Sequence, residues 1–319
     1  MITRRNQSGW LIESQGQPHG DFELIAACPP PYRGLMHICH DQVSPFTSLE
    51  SWKEADRIRS SRFLGPVYGT ACILSTYGNL EVVVARTDGA LAHFWRQEIF
   101  GWHGPIFLPG DAAGPPAFIQ SRYGAFGNFE VVVPRPCGGL SHFWRDNDET
   151  ADWHVATYRP ATLGQWEGLG LIHNSDGILE IVGVVDGNLT YIYQHGVGRS
   201  WEPPQVIAKG FKGRPCLIQN AVSPKSNYLS VAAMAEGGLA CFLRNDNTGL
   251  DWRNAGRFGN DRRGQFFKFD DVTVMQSSFG RTEVVSRCIS GPGLALRHYR
   301  RACRRWEGPN ELPFFDCDP

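Results

Sequence analysis

The sequence predicts an all-β protein, a six-bladed β-propeller with four antiparallel strands in each blade. Strand patterns separated by Gly, Pro and Asn turns recur about every fifty residues, which fits a four-stranded propeller blade. The chain contains 36 Gly, 21 Pro and 10 Trp, as expected for many tight turns between aromatic-rich strands. No apolar stripe with the period of a helix is present.

One copy of the repeat, which ends at Trp153, contains all four strand patterns. The first strand covers residues 118–121 and is followed by a Gly-Asn turn. The second, at 129–133, is an apolar run rich in β-branched residues, typical of a strand covered on both faces. The third covers 140–145, and Trp153 opens the fourth after a polar turn.

The other copies follow when the chain is aligned on the Glu of the second strand. That position is Glu23, Glu81, Glu130, Glu180, Ser230 and Glu283. The Trp that opens the fourth strand is Trp52, Trp102, Trp153, Trp201, Trp252 and Trp306. The predicted blades of one propeller domain spanning 1–319 are 9–57, 69–109, 114–160, 166–209, 213–258 and 271–312.

Residues present in nearly every blade are expected to serve the fold. The repeated Glu is interpreted as a structural hydrogen-bond acceptor, and the repeated Trp as packing between blades. The third-strand His and Arg side chains are interpreted in the same way, unless the protein is a multivalent lectin. These are His93, His142, His298, Arg96, Arg145, Arg244 and Arg301.

Composition and motifs exclude several functions. A formal net charge of −1 gives no general attraction to nucleic acid or to an anionic membrane, and no apolar run could span a bilayer. Metal-ligand, nucleophile-elbow and phosphate-loop motifs are absent, so we expect neither a metal nor a cofactor. The N-terminus lacks an apolar leader, and cysteines lie at apolar strand positions, which predicts a cytoplasmic protein in the form given. Secretion would be possible if a signal peptide had been removed from the sequence given.

Positions that differ between blades are the candidate site. If the first strand is innermost, its last residues form a ring near the central channel: Glu13, Leu74, Gln120, His173, Gln219 and Gln276. Such a polar ring either binds channel water or forms the floor of a pocket. Near the channel mouth we expect Trp166, Phe269 and Tyr68 as aromatic walls, with Lys212 beside them. The alternative is that these rings are core that plugs the mouth.

The repeat also resembles known propellers. Its G-N-F-E-V-V-V and G-G-L-S-H-F-W-R-D-N segments, followed by Trp, resemble the blades of lectin-like β-propellers. The six-bladed fucose lectins keep an Arg/Glu/Trp sugar site between most blades. In size, and in its six degenerate blades, the chain is also similar to the propeller hetero-Diels–Alderases of fungal tropolone–sesquiterpene biosynthesis. That resemblance implies a cofactor-free cyclase that holds a diene and an alkene together.

Two functional hypotheses involve a small-molecule or glycan ligand. A third is that the propeller serves only as a surface for binding other proteins. The first is a cofactor-independent cyclase of natural-product biosynthesis with one site for a small apolar or aromatic substrate in the central funnel. Gln120, His173, Gln219 and Lys212 would act as catalytic donors. Substrate would contact Trp166, Phe269, Tyr68, Gln276 and Glu13. The alternative is a fucose-type lectin that binds glycans between blades. Neither hypothesis involves nucleic acid or a membrane, and the sequence leaves the oligomeric state open.

Overall fold

In the computed structural model, the described residues form a ring of six four-stranded units, which confirms the predicted fold class. Each unit is an antiparallel meander in which neighbouring strands follow one another along the chain. The structure describes residues 8–14, 20–28, 34–40, 52–54, 58–148, 152–158, 164–195, 201–220, 227–245, 251–290, 295–302 and 305–312.

The first three blades hold twelve of the described strands. Blade 1 contains β1 (Leu11–Glu13), β2 (Phe22–Ala27), β3 (Leu35–His40) and β4 (Trp52–Glu54). A 3₁₀ helix (Arg59–Phe63) leads to blade 2, which contains β5 (Val67–Leu74), β6 (Leu80–Arg86), β7 (Leu91–Gln97) and β8 (Gly101–Leu108). Blade 3 contains β9 (Ala117–Gln120), β10 (Phe129–Pro134), β11 (Leu140–Arg145) and β12 (Trp153–Tyr158).

The other three blades repeat this order. Blade 4 contains β13 (Trp166–His173), β14 (Ile178–Val185), β15 (Asn188–His195) and β16 (Gln205–Lys209). Blade 5 contains β17 (Phe211–Asn220), β18 (Asn227–Met234), β19 (Leu239–Asn245) and β20 (Arg253–Phe258). Blade 6 contains β21 (Phe269–Gln276), β22 (Thr282–Cys288), β23 (Ala295–Ala302) and β24 (Arg305–Leu312).

The core lies between adjacent blades. The central strands of each blade show why their sequences are apolar at every position. In β6, Val82 and Val84 pack toward blade 1, while Val83 and Ala85 pack toward blade 3. Successive side chains of a strand point to opposite faces. A strand between two neighbouring blades therefore needs apolar residues at every position, and the Val-rich runs provide them.

Blades 1 and 6 close the ring through the same kind of interface. Trp10 and Leu11 of blade 1 share a core with Met275, Val285 and Leu296 of blade 6. A propeller that closes in this way leaves only short strand edges open to pairing.

The axis of the ring is crossed by the segment Ser8–Trp10. The Ser8 Oγ accepts a hydrogen bond from Leu171 N of blade 4 (2.6 Å), and the Gly9 carbonyl accepts one from Cys72 N of blade 2 (2.6 Å). Trp10 N donates to Thr273 Oγ1 of blade 6 (3.2 Å). A three-residue segment that bonds to the inner strands of three blades lies between them, on the axis.

A buried ion pair completes this axial plug. Arg214 of blade 5 donates from Nε and Nη2 to the two carboxylate oxygens of Asp271 in blade 6, at 2.7 and 2.8 Å. Its Nη1 donates to the carbonyls of Thr70 (2.6 Å) and Pro116 (3.1 Å), in blades 2 and 3. Trp10 Nε1 also donates to Asp271 (3.2 Å). One guanidinium therefore joins blade 5 to three other blades at the centre of the ring.

Glycines allow the inner strands of neighbouring blades to approach closely. A Cβ on Gly170 would lie 2.8 Å from Leu217 N in the next blade. Gly213 has a φ of +69°, and a Cβ there would lie 1.9 Å from the carbonyl oxygen of Asp270. Only glycine fits both a positive φ and such an approach.

The cysteines differ in part from the expectation for a reducing compartment. Cys28 is disulfide-bonded, whereas the other six cysteines within the described ranges are free thiols: Cys39, Cys72, Cys137, Cys216, Cys241 and Cys288. Burial raises the pKa of the Cys216 thiol to about 11, so this cysteine acts as a small apolar residue. The described residues contain no helix with the length and apolar character that a membrane span needs.

Candidate binding clefts between the blades

The repeated Glu lies in the interface between its own blade and the next, where a ring side chain of the third strand binds it. We call the interface between blades 1 and 2 cleft 1/2, and name the others in the same way. In cleft 2/3, His93 Nε2 donates to Glu81 Oε2 at 2.8 Å. The equivalent pairs are Glu23–His37, Glu130–His142, Glu180–Tyr191 and Glu283–His298. The prediction of a structural acceptor is confirmed.

The next blade brings its fourth-strand Trp against this pair. The Trp153 ring meets His93 edge to face, with centroids 5.6 Å apart. Equivalent contacts, between 5.5 and 5.9 Å, join Trp102 to His37, Trp252 to Tyr191 and Trp52 to His298. The predicted packing of these tryptophans between blades is confirmed.

Three of these tryptophans carry an unused donor. Within the described ranges, the indole Nε1 of Trp102, Trp153 and Trp252 is buried and has no hydrogen-bond acceptor. A buried Trp N–H normally finds a partner. Because the three occupy equivalent positions, each in its own cleft, their unpaired N–H groups are a property of the cleft.

The next blade also supplies an Arg from its third strand. In cleft 1/2, Arg96 Nη2 donates to Glu23 Oε1 at 3.0 Å, and the Arg96 side chain is 24% exposed. Burial alone would raise the pKa of Glu23, but His37 and Arg96 together hold it below its usual value. Cleft 1/2 therefore keeps an ionised carboxylate beside a half-buried guanidinium.

Cleft 2/3 has the same components in a more open arrangement. Glu81 accepts from His93 and, at 3.3 Å, from Asn79 Nδ2. Arg145 and Trp153 of blade 3 are half-buried, and the Arg145 guanidinium lies 4.5 Å from the centre of the Phe129 ring. Burial lowers the pKa of Arg145, although the nearby Glu81 charge acts in the opposite direction. Arg145 and Trp153 are thus the parts of this cleft that a solute meets first.

Cleft 4/5 is closed by its own ion pair. Arg244 Nη2 donates to Glu180 Oε2 at 2.7 Å, and both side chains are 1% exposed. The Arg244 guanidinium lies among the rings of Tyr191, Tyr228 and Trp252, 4.1 to 5.2 Å from their centres. The carboxylate and the guanidinium of this cleft bind each other and are shielded from water.

Cleft 5/6 lacks the Glu and the His of the other clefts. Ser230 stands where the other blades have Glu, and Cys241 replaces the His. The Trp306 ring stacks on Phe258 at 3.8 Å, with an interplanar angle of 8°. Arg301 keeps the Arg position, with its guanidinium 5.8 Å from the centre of the Trp306 ring, so this interface is apolar packing with an Arg but without the repeated carboxylate.

The remaining two clefts are intermediate. Cleft 3/4 retains Glu130 and His142 but has Gln194 at the Arg position. Cleft 6/1 has His40 there, and Arg300 of blade 6 donates to Glu283 at 3.2 Å instead. Burial, followed by the charges of His298 and Arg300, lowers the pKa of His40 to about 4.

The first-strand polar ring, predicted as a channel floor, makes contacts between blades. Gln120 Nε2 donates to Thr76 Oγ1 (2.9 Å) in blade 2, and Gln219 Nε2 donates to Ser175 Oγ (3.0 Å) in blade 4. His173 Nδ1 accepts from Arg122 N (2.8 Å), and Glu13 accepts from Ser278 N (2.8 Å). Gln276 also has a polar partner. Each described bond reaches the first turn of the preceding blade, which accounts for the polarity.

The structure does not bring the predicted aromatic walls together. Trp166 is 3% exposed and packs in the core between blades 3 and 4, whereas Phe269 is fully buried between blades 5 and 6. Tyr68 is half-buried against the core between blades 2 and 3, and Lys212 is half-buried at the start of β17. The role of these residues toward a substrate stays a prediction.

Sequence reasoning missed two features of this geometry. The Glu and His of one blade were not recognised as a pair, although both recur at aligned strand positions and are 12 residues apart in blades 2 and 3. Arg214 was not singled out because its partners come from three other blades. Across the described residues, no group of three or more His, Cys, Asp or Glu side chains could hold a metal ion.

Known proteins resemble this chain in structure but not detectably in sequence. No family model matches it, and no curated protein does. The Aleuria aurantia lectin, solved as a six-bladed β-propeller with a novel fucose recognition mode, has a TM-score of 0.67 at 12% identity, covering 97% of this chain and 96% of the lectin. The BP39L lectin of Burkholderia pseudomallei has a TM-score of 0.63 at 14% identity, covering 96% and 83%.

A third similar structure, AofleA from Arthrobotrys oligospora, has a TM-score of 0.56 at 14% identity, covering 76% of this chain and 70% of AofleA. At these identities the likeness establishes the fold alone. The chain is therefore a β-propeller similar in architecture to the fungal and bacterial propeller lectins.

Proposed function

We propose that this protein binds carbohydrate in clefts between adjacent blades. The observation that carries the proposal is that clefts 1/2 and 2/3 each combine a carboxylate, a half-buried Arg and a half-buried Trp with an unused indole N–H. The similar Aleuria lectin, whose structure was solved with α-methyl-L-fucoside, supports this choice. The disulfide at Cys28 is also typical of proteins that meet extracellular glycans.

The chemistry of the clefts suits a sugar. A sugar hydroxyl both donates and accepts, so it can give its proton to a carboxylate and accept from Arg or from an indole N–H. Glu81 already accepts two hydrogen bonds, but a carboxylate offers about four lone-pair sites and retains capacity. The apolar face of a pyranose can lie against the Trp ring.

The affinity of one cleft should be low. A monosaccharide has about a dozen non-hydrogen atoms, and at roughly 0.4 kcal/mol per atom it gains about 5 kcal/mol, a Kd near 0.2 mM. Useful avidity then comes from several clefts on one ring. Clefts 4/5 and 5/6 are not expected to contribute, because the first is sealed and the second lacks its carboxylate.

The test is isothermal titration with methyl glycosides of fucose, galactose, mannose and N-acetylglucosamine. We expect at least one to bind with more than one site per chain. Arg145→Gln should lower the number of sites, because cleft 2/3 loses its exposed donor. Trp153→Phe, which keeps a ring but removes the N–H, should weaken the same site.

The chain offers a matched control at Trp306. This residue holds the position of Trp153 in cleft 5/6, where no carboxylate is present, so Trp306→Phe should leave the titration unchanged. The proposal fails if none of the four sugars binds, or if Arg145→Gln and Trp306→Phe have the same effect.

The cyclase hypothesis has less support. Its proposed donors Gln120, His173 and Gln219 bond to neighbouring blades, and its two walls lie in different cores. The central-funnel reaction stays a prediction, and no described contact favours it over carbohydrate binding.

A further inference from the structure

The mouth of cleft 2/3 carries an exposed pair of aromatic rings, which we call the aromatic shelf. It consists of Tyr77 from the β5–β6 turn of blade 2 and Phe126 from the β9–β10 turn of blade 3. Their ring centroids are 6.1 Å apart, and the rings are 46% and 53% exposed. Within the described part of the chain, no other two aromatic side chains that are each more than a third exposed contact one another.

The aromatic shelf is connected directly to the cleft. The Tyr77 hydroxyl donates to the Asn147 carbonyl at 3.2 Å, and Arg145 Nε donates to Asn147 Oδ1 at 2.8 Å. Burial raises the pKa of the Tyr77 hydroxyl, and the nearby Arg145 charge opposes this shift. Asn147 therefore links Arg145 to Tyr77, so a solute in contact with Arg145 lies next to the aromatic shelf.

Hydrogen bonds to the backbone of the two turns hold the aromatic shelf in position and leave the faces of its rings open to solvent. Asp148 accepts from the Phe126 backbone N–H at 2.7 Å. Gln120 Nε2 donates to the Phe126 carbonyl and to Thr76 Oγ1, both at 2.9 Å, and so ties the two turns together. Groups fixed before binding lose little entropy on binding. The sequence thus maintains two rings in a set position while leaving about half of each residue open to solvent, as expected of an apolar binding surface.

Cleft 3/4 has no such feature. Its mouth is bordered by Tyr123, which is half-buried with its ring 4.5 Å from that of His173. The facing turn of blade 4, residues 174–177, is Asn-Ser-Asp-Gly and has no aromatic side chain. The shelf distinguishes cleft 2/3 from its neighbour.

We infer that the ligand of cleft 2/3 is an oligosaccharide, with its terminal sugar between Arg145 and Trp153 and the next sugar stacked on Tyr77 and Phe126. The inference rests on the proposed function and adds a second subsite to it. A pyranose presents an apolar C–H face that matches an aromatic surface, and its outward hydroxyls remain in water. Tyr77 and Phe126 then determine which linkages fit, because only some place the second ring over the shelf.

The experiment compares two ligands on three variants. The ligands are the methyl glycoside that binds best in the panel above and a disaccharide that carries the same sugar at its non-reducing end. Tyr77→Ala/Phe126→Ala should bind the monosaccharide like the unsubstituted protein and lose roughly 5- to 20-fold in affinity for the disaccharide at one site. Tyr77→Phe keeps the ring and should retain disaccharide affinity.

Phe107→Ala is the matched control, since Phe107 is another exposed aromatic residue of blade 2 (55%) that lies in β8, outside the aromatic shelf. It should change neither titration. Sugar binding with no loss in the double variant would overturn the second subsite and leave the proposed function standing. If neither ligand binds the unsubstituted protein, the proposed function and this inference fail together. An equal loss for both ligands would also overturn the second subsite.

Discussion

Replacing Arg214 by Met is the perturbation that tests the axial plug most severely. Methionine retains the apolar stem, but it removes four buried hydrogen bonds: two to Asp271 and one each to the carbonyls of Thr70 and Pro116. Asp271 is then left as a buried charge with Trp10 Nε1 as its remaining donor from this network. Removing one partner of a buried pair costs about 3–5 kcal/mol, and each orphaned carbonyl adds about 1 kcal/mol.

The expected loss is about 5–7 kcal/mol in the free energy of unfolding. At an unfolding entropy of roughly 2.1 cal/mol/K per residue, this corresponds to a Tm about 7–10 °C lower for a chain of 319 residues. Thermal and urea unfolding followed by the fluorescence of the 10 tryptophans would measure it.

The double variant Arg214→Met/Asp271→Leu is the control. It removes both charges together, so it should cost less than the sum of the two single variants, with a coupling of at least about 2 kcal/mol. A loss under about 1 kcal/mol for Arg214→Met alone would refute the reasoning that this residue holds the blades together at the axis.

Three further predictions concern stability. The pKa of His40 is about 4 in the native protein, against an ordinary 6.5. Between pH 6.5 and 4 the unfolded chain therefore binds a proton at this residue, whereas the native chain does not. Stability should fall as the pH is lowered from 6.5 to 4, by at most about 1.4 kcal/mol per pH unit from this residue, and His40→Gln should flatten that slope in urea titrations at several pH values. Gly9→Val should lower the Tm, because a Cβ there would lie 2.2 Å from Thr273 Oγ1; an unchanged Tm would contradict the axial position of Ser8–Trp10. Gln219→Ala should cost about 1 kcal/mol or less through the bond to Ser175 and leave sugar titrations unchanged, whereas loss of a small-molecule activity would favour the funnel hypothesis.

The fold was predictable because its signals are local and repeated. The Val-rich run around Val83 identifies a strand buried on both faces, and the recurring Glu and Trp positions fix the register of all six copies. A repeat needs only one recognisable copy for the others to be aligned. The role of Glu81 as a structural acceptor and that of Trp153 in packing between blades followed from that repetition.

The site was less predictable because it is formed between units. Alternation along β9 shows which face Gln120 occupies, but not that the neighbouring blade offers Thr76 as a partner. The axial plug depends on Ser8 and Arg214, which are far apart in sequence and follow no repeat. A search for positions that break the symmetry therefore selected residues that join blades, while the repeated residues line the clefts.

The most direct test of the central claim is a crystal structure of the protein soaked with the sugar that binds best in titration. The account predicts electron density for the sugar in clefts 1/2 and 2/3, in contact with Arg96 and Arg145, and none in clefts 4/5 and 5/6. Sugar density on the axis of the ring, or clefts 1/2 and 2/3 empty while titration shows binding, would contradict it.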